Sequence, residues 1–491
     1  MSTLRQPLIT LFSRGAIGRG VGFFANLSLT HFLGPSLLGY FTIIVAAVQL
    51  LDTLGSLGGD YSLNYLLGRM RAPLENRRGR LLVNSLGQIC FLSTVAYSAV
   101  LFVWLVFFGG LFPLSSFNSG RDLSILLFLL MVLFEGLASA PWDALLVSRR
   151  ISEYSLRQGF FLPARISLAA IGAYYFGLNG ALSGWVLVVL AQFFWLASCF
   201  PSFPFPLSCF CFSFSFDFRY IRLLWGRGSA FYITNLISAI VSFPLVLALA
   251  SQHGYAEVGF LRIGQILQQL FAFFSVTLSP LLFLRLRSFS GLRQRVGGLS
   301  APFRLLWMSL LFVLIVYFLF DRVLLLSFFG VAFLPALVPT RILLVTALLE
   351  ALYQVLVQPF LASGKTSEYM LVQLASIFSS GLLGYFLLPS LGISGYLLSR
   401  VILALLPFSW YLFRFLISGS VAVTFIPVLS VTAVTLAFCL TQSLVGDSSW
   451  PNALWFHSFI WIFPLFLLLF LERKGFGEAL SLVAGRDLPS S

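Results

Sequence analysis

Apolar runs near twenty residues long follow one another from end to end of this chain. A helix rises about 1.5 Å per residue, so each run is long enough to cross the hydrocarbon core of a bilayer. Within lipid only helices and closed barrels satisfy the backbone, and runs without polar alternation read as helices. Charge is scarce to match: 9% of the 491 residues are charged and mean hydropathy is +0.98. A soluble domain carries about 25%. The fold class expected is an all-α polytopic membrane protein of about 14 transmembrane helices.

Those spans lie at roughly 8–33, 37–59, 84–110, 123–147, 157–177, 179–200, 228–250, 257–284, 303–326, 337–362, 369–388, 391–413, 419–442 and 454–471. The net charge of +14 is nearly all arginine, Lys365 and Lys474 being the only lysines. Arginines crowd the connections after even-numbered spans: Arg69, Arg71, Arg77, Arg78 and Arg80 after span 2, Arg149, Arg150 and Arg157 after span 4. Odd-numbered connections hold few, namely Arg121, Arg322 and Arg341. The positive-inside rule then places both termini in the cytoplasm and removes the reason to expect nucleic acid as a partner. The opening residues MSTLRQPLITLFSRG lack a small-residue cleavage site, so no removable signal peptide is expected. The cysteines and histidines are scattered, and no metal or cofactor is expected. Gly364-Lys365-Thr366 ends like a phosphate-binding loop, but Pro359 stands where that motif needs glycine.

A duplication organises the chain. The stretch EGLASAPWDALLVSRRISEYSLRQ (Glu135–Gln158) returns 215 residues later as EALYQVLVQPFLASGKTSEYMLVQ (Glu350–Gln373). Each copy has a glutamate in an apolar run, polar residues four and eight positions on, the triplet SEY, and a closing glutamine. At the same offset GLNG (Gly177–Gly180) matches GISG (Gly392–Gly395), and nearby LGYF (Leu38–Phe41) lines up with VGFL (Val258–Leu261). Spans 1–6 thus correspond to spans 7–12, in the same orientation. The domains expected are a six-helix lobe over 1–200, a Phe/Ser-rich cytoplasmic interfacial linker over 201–227, a pseudo-symmetric six-helix lobe over 228–415, and two extra transmembrane helices with a cytoplasmic tail over 416–491.

A charge at the centre of a span costs roughly 2.5–3.5 kcal/mol on insertion scales, so it needs a reason. Arg14 and Arg19 stand in span 1, where Arg19, Asn26 and Thr30 share a face that is wet or protein-facing, and Gly18-x-x-x-Gly22 allows close backbone approach. Arg262, Gln265 and Gln269 share a face of span 8. Each of these arginines could instead snorkel to an interface. Arg165 and Arg400 could pair with carboxylates to hold helices together, and the carboxylates at Asp52, Glu135, Asp143 and Glu350 have two readings. Either they neutralise arginines, or Glu135, Asp143 and Glu350 couple transport to an ion. The polar stripes Glu135–Ser139–Asp143 and Glu350–Gln354–Gln358 favour a polar cavity beside spans 4 and 10.

The segment LTHFLGPSLLGYFTIIVAAVQLLDTLGSLGGD (Leu29–Asp60) resembles the span 1–2 signature of Wzx-type polysaccharide flippases, members of the multidrug/oligosaccharidyl-lipid/polysaccharide exporter superfamily. FFGVAFLPALVPTRILLV (Phe328–Val345) is similar to that family's segment before span 10. The Phe/Ser-rich linker and the near absence of lysine depart from the family pattern. The resemblance implies a two-lobed bundle with a central cavity and alternating access. It implies a polyprenyl-pyrophosphate-linked oligosaccharide as cargo, turned across a bacterial inner membrane for surface polysaccharide synthesis, with membrane lipids and polysaccharide polymerase machinery as partners. It also implies cavity arginines in spans 1 and 8, for which Arg14, Arg19 and Arg262 occupy comparable places. A forked guanidinium suits a pyrophosphate, and Asn26, Gln265, Gln269 and Gln354 could hydrogen-bond sugar. A transporter of this kind is not an enzyme. One alternative is a multidrug cation antiporter, against which the intramembrane arginines count. Another is a membrane-embedded glycosyltransferase or polymerase, for which the outward loops are too short.

Overall fold

The computed structural model of the chain describes residues 2–56, 92–99, 121–147, 150–199, 218–287, 289 and 291–417. Every element among them is helical. In order these are α1 (Ser2–Ser56), α2 (Arg121–Val147), α3 (Ile151–Leu156), a π-helical turn (Arg157–Phe161), α4 (Leu162–Cys199), α5 (Phe218–His253) and α6 (Tyr255–Arg287). There follow α7 (Leu292–Phe329), a 3-10 turn (Val331–Ala336), α8 (Leu337–Leu356), α9 (Gln358–Ala362), α10 (Thr366–Leu391) and α11 (Ile393–Ile417). Seven stretches among the described residues are long and apolar enough to cross a membrane. Two of them, in α1 and α4, are divided by breaks at Gly34 and at Phe176–Gly177. The chain is therefore an all-α, multi-pass membrane protein. The spans expected at 419–442 and 454–471, most of span 3 and residues 201–217 of the linker lie outside the described residues. Residues 218–227, read from the sequence as linker, form the start of α5.

The chain divides into two compact units, Met1–Arg262 and Ile263–Ser491, with the division inside α6. In the second unit Phe303, Trp307 and Leu311 of α7 bury themselves in one cluster with Leu348, Leu352 and Val355 of α8 and Tyr411 and Phe415 of α11. In the first, Phe41, Phe128, Trp142 and Leu182 are buried. Large apolar side chains also point outward, among them Ile17, Phe24, Phe194 and Phe378. In water that surface would be a liability, whereas lipid solvates it at no cost.

The duplication is visible in the backbone. Gly177 ends the span-5 part of α4 at φ 59, ψ −138, and Gly392 ends α10 at φ 56, ψ −131. Left-handed φ is cheap only for glycine, so both copies need glycine there. Three residues on, a Cβ on Gly180 would collide with the carbonyl oxygen of Gly172. One on Gly395 would collide with that of Leu387, the position equivalent to 172. Each of these turns thus folds the next span back onto its predecessor, backbone against backbone.

Candidate functional site

The SEY turns are fastening points. In the first copy the Arg14 guanidinium donates to the carbonyl oxygen of Ser152 at 2.8 Å and to Ser155 Oγ at 3.0 Å. A Cβ on Gly18 would collide with the carbonyl oxygen of Gln158, so the expected close approach is made, against the π-helical turn. Glu153 pairs with Arg150, which also donates to the Cys199 carbonyl at 3.0 Å. In the second copy Glu368 pairs with Arg414 at 3.1 Å and accepts from Trp410 Nε1 at 3.1 Å. By different residues, each SEY glutamate ties the start of one helix to the end of the next. That explains why the triplet recurs without making it a cargo site.

Deeper in the spans, both expected glutamates are held by arginines. Glu135 pairs with Arg165, whose other Nη donates to Gln192 Oε1. Arg165 has only 3% of its side chain exposed. Glu350 accepts from Arg400 Nη2 at 3.4 Å and from Gln268 Nε2 at 2.9 Å. Here both partners are about a quarter exposed, 24% for Arg400 and 23% for Glu350. Removing one partner of a buried pair costs about 3–5 kcal/mol, whereas exposed pairs contribute about 0–1 kcal/mol. The first pair is therefore the more tightly held, and the second rests on a single longer contact. The side chains of Ser139 and Asp143 lie outside the described residues.

Arg262 is different. It is 8% exposed and, among the described residues, makes no hydrogen bond or ion pair. An uncompensated buried guanidinium costs several kcal/mol, so its place in the fold asks for an anion. Gln265 is half-buried and Gln269 exposed along the same face of α6. Arg19 is half-buried in α1. Asn26 and Thr30 are buried, and Asn26 Nδ2 donates back to the Gly22 backbone carbonyl at 2.9 Å. Gln354 is half-buried, and its carbonyl accepts from Gln358 Nε2 at 2.8 Å.

Sequence reasoning missed three participants. Gln192 and Gln268 carry no charge and gave no signal inside apolar runs. Asp321 falls inside the span expected at 303–326 without being singled out there, and it is buried and paired with Arg341, from α7 to α8. As a carboxylate inside an expected span it carries the same signal as Glu135 and Glu350.

No protein-family model and no curated protein matches the sequence. Solved structures do. The fold is similar to that of the lipid II flippase MurJ in an inward closed conformation, with TM-score 0.69 and 13% identity, over 94% of this chain and 99% of that one. It is similar to an outward-facing multidrug resistance MATE transporter of the MOP superfamily, with TM-score 0.57 and 14% identity over 84% and 96%. A third is a MOP superfamily transporter from Pyrococcus furiosus described by a reversed polarity of its binding pocket, at TM-score 0.54 and 14% identity over 84% and 96%. At these identities the fold is what is shared.

Proposed function

We propose that this protein is a flippase that moves a polyprenyl-pyrophosphate-linked oligosaccharide across the bacterial inner membrane by alternating access, for surface polysaccharide synthesis. The observation that carries the reading is Arg262, buried with no counter-charge among the described residues. A cargo pyrophosphate supplies the missing anion, and a cationic drug would be repelled. The fold supports the choice, since one of its likenesses is a lipid II flippase. In this reading Arg19, Arg262, Gln265, Gln269, Gln354 and Asn26 serve the pyrophosphate and glycan. Arg14, already hydrogen-bonded in the SEY turn, is the weakest member of that set. Both termini are cytoplasmic, the repeat-defined lobes over 1–200 and 228–415 are the working halves, and polymerase machinery receives the product. No bond is made or broken in the cargo, so the protein is not an enzyme.

A deletion strain tests this. Mass spectrometry should find the lipid-linked oligosaccharide accumulating on the cytoplasmic leaflet, with surface glycan lost. Unchanged surface glycan and unchanged lipid intermediates would refute the proposal.

A further inference from the structure

Resting on the flippase reading, the geometry points to Arg400 as a second binding residue for the cargo's anionic phosphates, with Glu350 as the carboxylate that it gives up and that then takes a proton. Three observations converge on this pair within the second unit. Arg400 spends one N–H on Glu350, at the long distance of 3.4 Å, and among the described residues has no other hydrogen-bond partner. A guanidinium offers five donors in a fork that fits two phosphate oxygens at once, so most of its capacity is unused. Glu350, in contrast, is held from elsewhere, because Gln268 of α6 donates to its other oxygen at 2.9 Å. The carboxylate can stay in place while the arginine changes partner. The pair is also a quarter exposed, unlike Glu135–Arg165, where the arginine is closed off and gripped on both sides.

Charge balance sets the protonation of the pair. While Arg400 and Glu350 face each other the pair is neutral. A phosphate that takes the guanidinium leaves the carboxylate beside a second anion, a repulsion that uptake of one proton removes. A buffer acid in solution releases that proton, leaving its conjugate base, and the carboxylate becomes a carboxylic acid that still accepts from Gln268. Among the described residues the other titratable group beside the pair is Tyr396, buried on the same helix as Arg400. Binding of the anion and uptake of one proton are then linked, so affinity falls as pH rises. Gln192 completes the other copy's network as an acceptor for arginine, where Gln268 is a donor to glutamate; only the second arrangement frees a guanidinium.

The test is calorimetry on the full-length protein in nanodiscs. The probe is a short-chain prenyl-pyrophosphoryl-N-acetylglucosamine, a diester whose phosphates keep their charge across neutral pH. Titrations in buffers of different ionisation enthalpy count protons. Wild type should take up close to one proton per probe and bind about tenfold more weakly for each pH unit over which that count stays near one. Glu350→Gln should bind at every pH as wild type does at low pH, with no proton uptake. Arg400→Gln should lose at least tenfold in affinity while eluting as a folded protein on size exclusion. Should Arg400→Gln not fold, Glu350→Gln alone decides through its proton count. Undiminished binding by a folded Arg400→Gln, or a proton count unchanged in Glu350→Gln, would overturn the inference. No binding by wild type would overturn the flippase reading itself.

Discussion

Glu135 and Glu350 occupy the same place in the two copies of the repeat, yet each has recruited its arginine from a different helix. Arg165 comes from the span after its glutamate, and the position equivalent to it in the second copy is Ser380. Arg400 comes from two spans on, and the position equivalent to it in the first copy is Trp185. A glutamate inside an apolar run must be neutralised or lost, and either solution serves. The two are not interchangeable in consequence. The first copy carries a three-residue lock, Glu135–Arg165–Gln192, and the second a neutral pair whose arginine has donors unused among the described residues. Duplication preserved the demand, and the two copies diverged in how they meet it.

Substitutions can break this contrast. The largest effect is expected from Arg165→Ala, which strands a carboxylate and a buried amide: about 3–5 kcal/mol of destabilisation, read as a large drop in thermal midpoint in detergent. Next come Gly180→Ala and Gly395→Ala, whose new methyl groups collide with the Gly172 and Leu387 carbonyls. Each should cost about 1–3 kcal/mol, and by similar amounts, since the turns are equivalent. One harmless and one severe outcome would show that the two turns are not equivalent. The smallest effect on stability belongs to Arg400→Gln, because the pair rests on one long contact and Gln268 still holds the carboxylate. A loss as large as that of Arg165→Ala would mean that the second copy is locked as well.

The sequence discloses some of these features and hides others, according to the kind of signal each one carries. Span length and apolarity are one-dimensional, so the all-helical membrane fold was readable, as was the equivalence of Gly177 and Gly392 that their matching φ values bear out. The repeat located Glu135 and Glu350. It could not name their partners, because Arg165 and Arg400 are not repeat-related and Gln192 and Gln268 are uncharged. Arg14 shows the limit from the other side: a lone arginine in an apolar run looks like a ligand for pyrophosphate, and only three dimensions reveal that it holds the Ser152 turn. Arg262 looks the same in sequence and differs in having no such partner among the described residues.

That difference sets the decisive measurement. Purified protein is reconstituted into proteoliposomes with a fluorescent lipid-linked oligosaccharide, and transfer between leaflets is followed by dithionite quenching. Wild type should expose the whole probe pool to the quencher over the course of the assay. Arg262→Ala, inserted to the same level and equally stable or more so, should leave the inner-leaflet half protected. Transfer by Arg262→Ala at the wild-type rate would contradict the claim that this buried guanidinium receives the cargo's pyrophosphate.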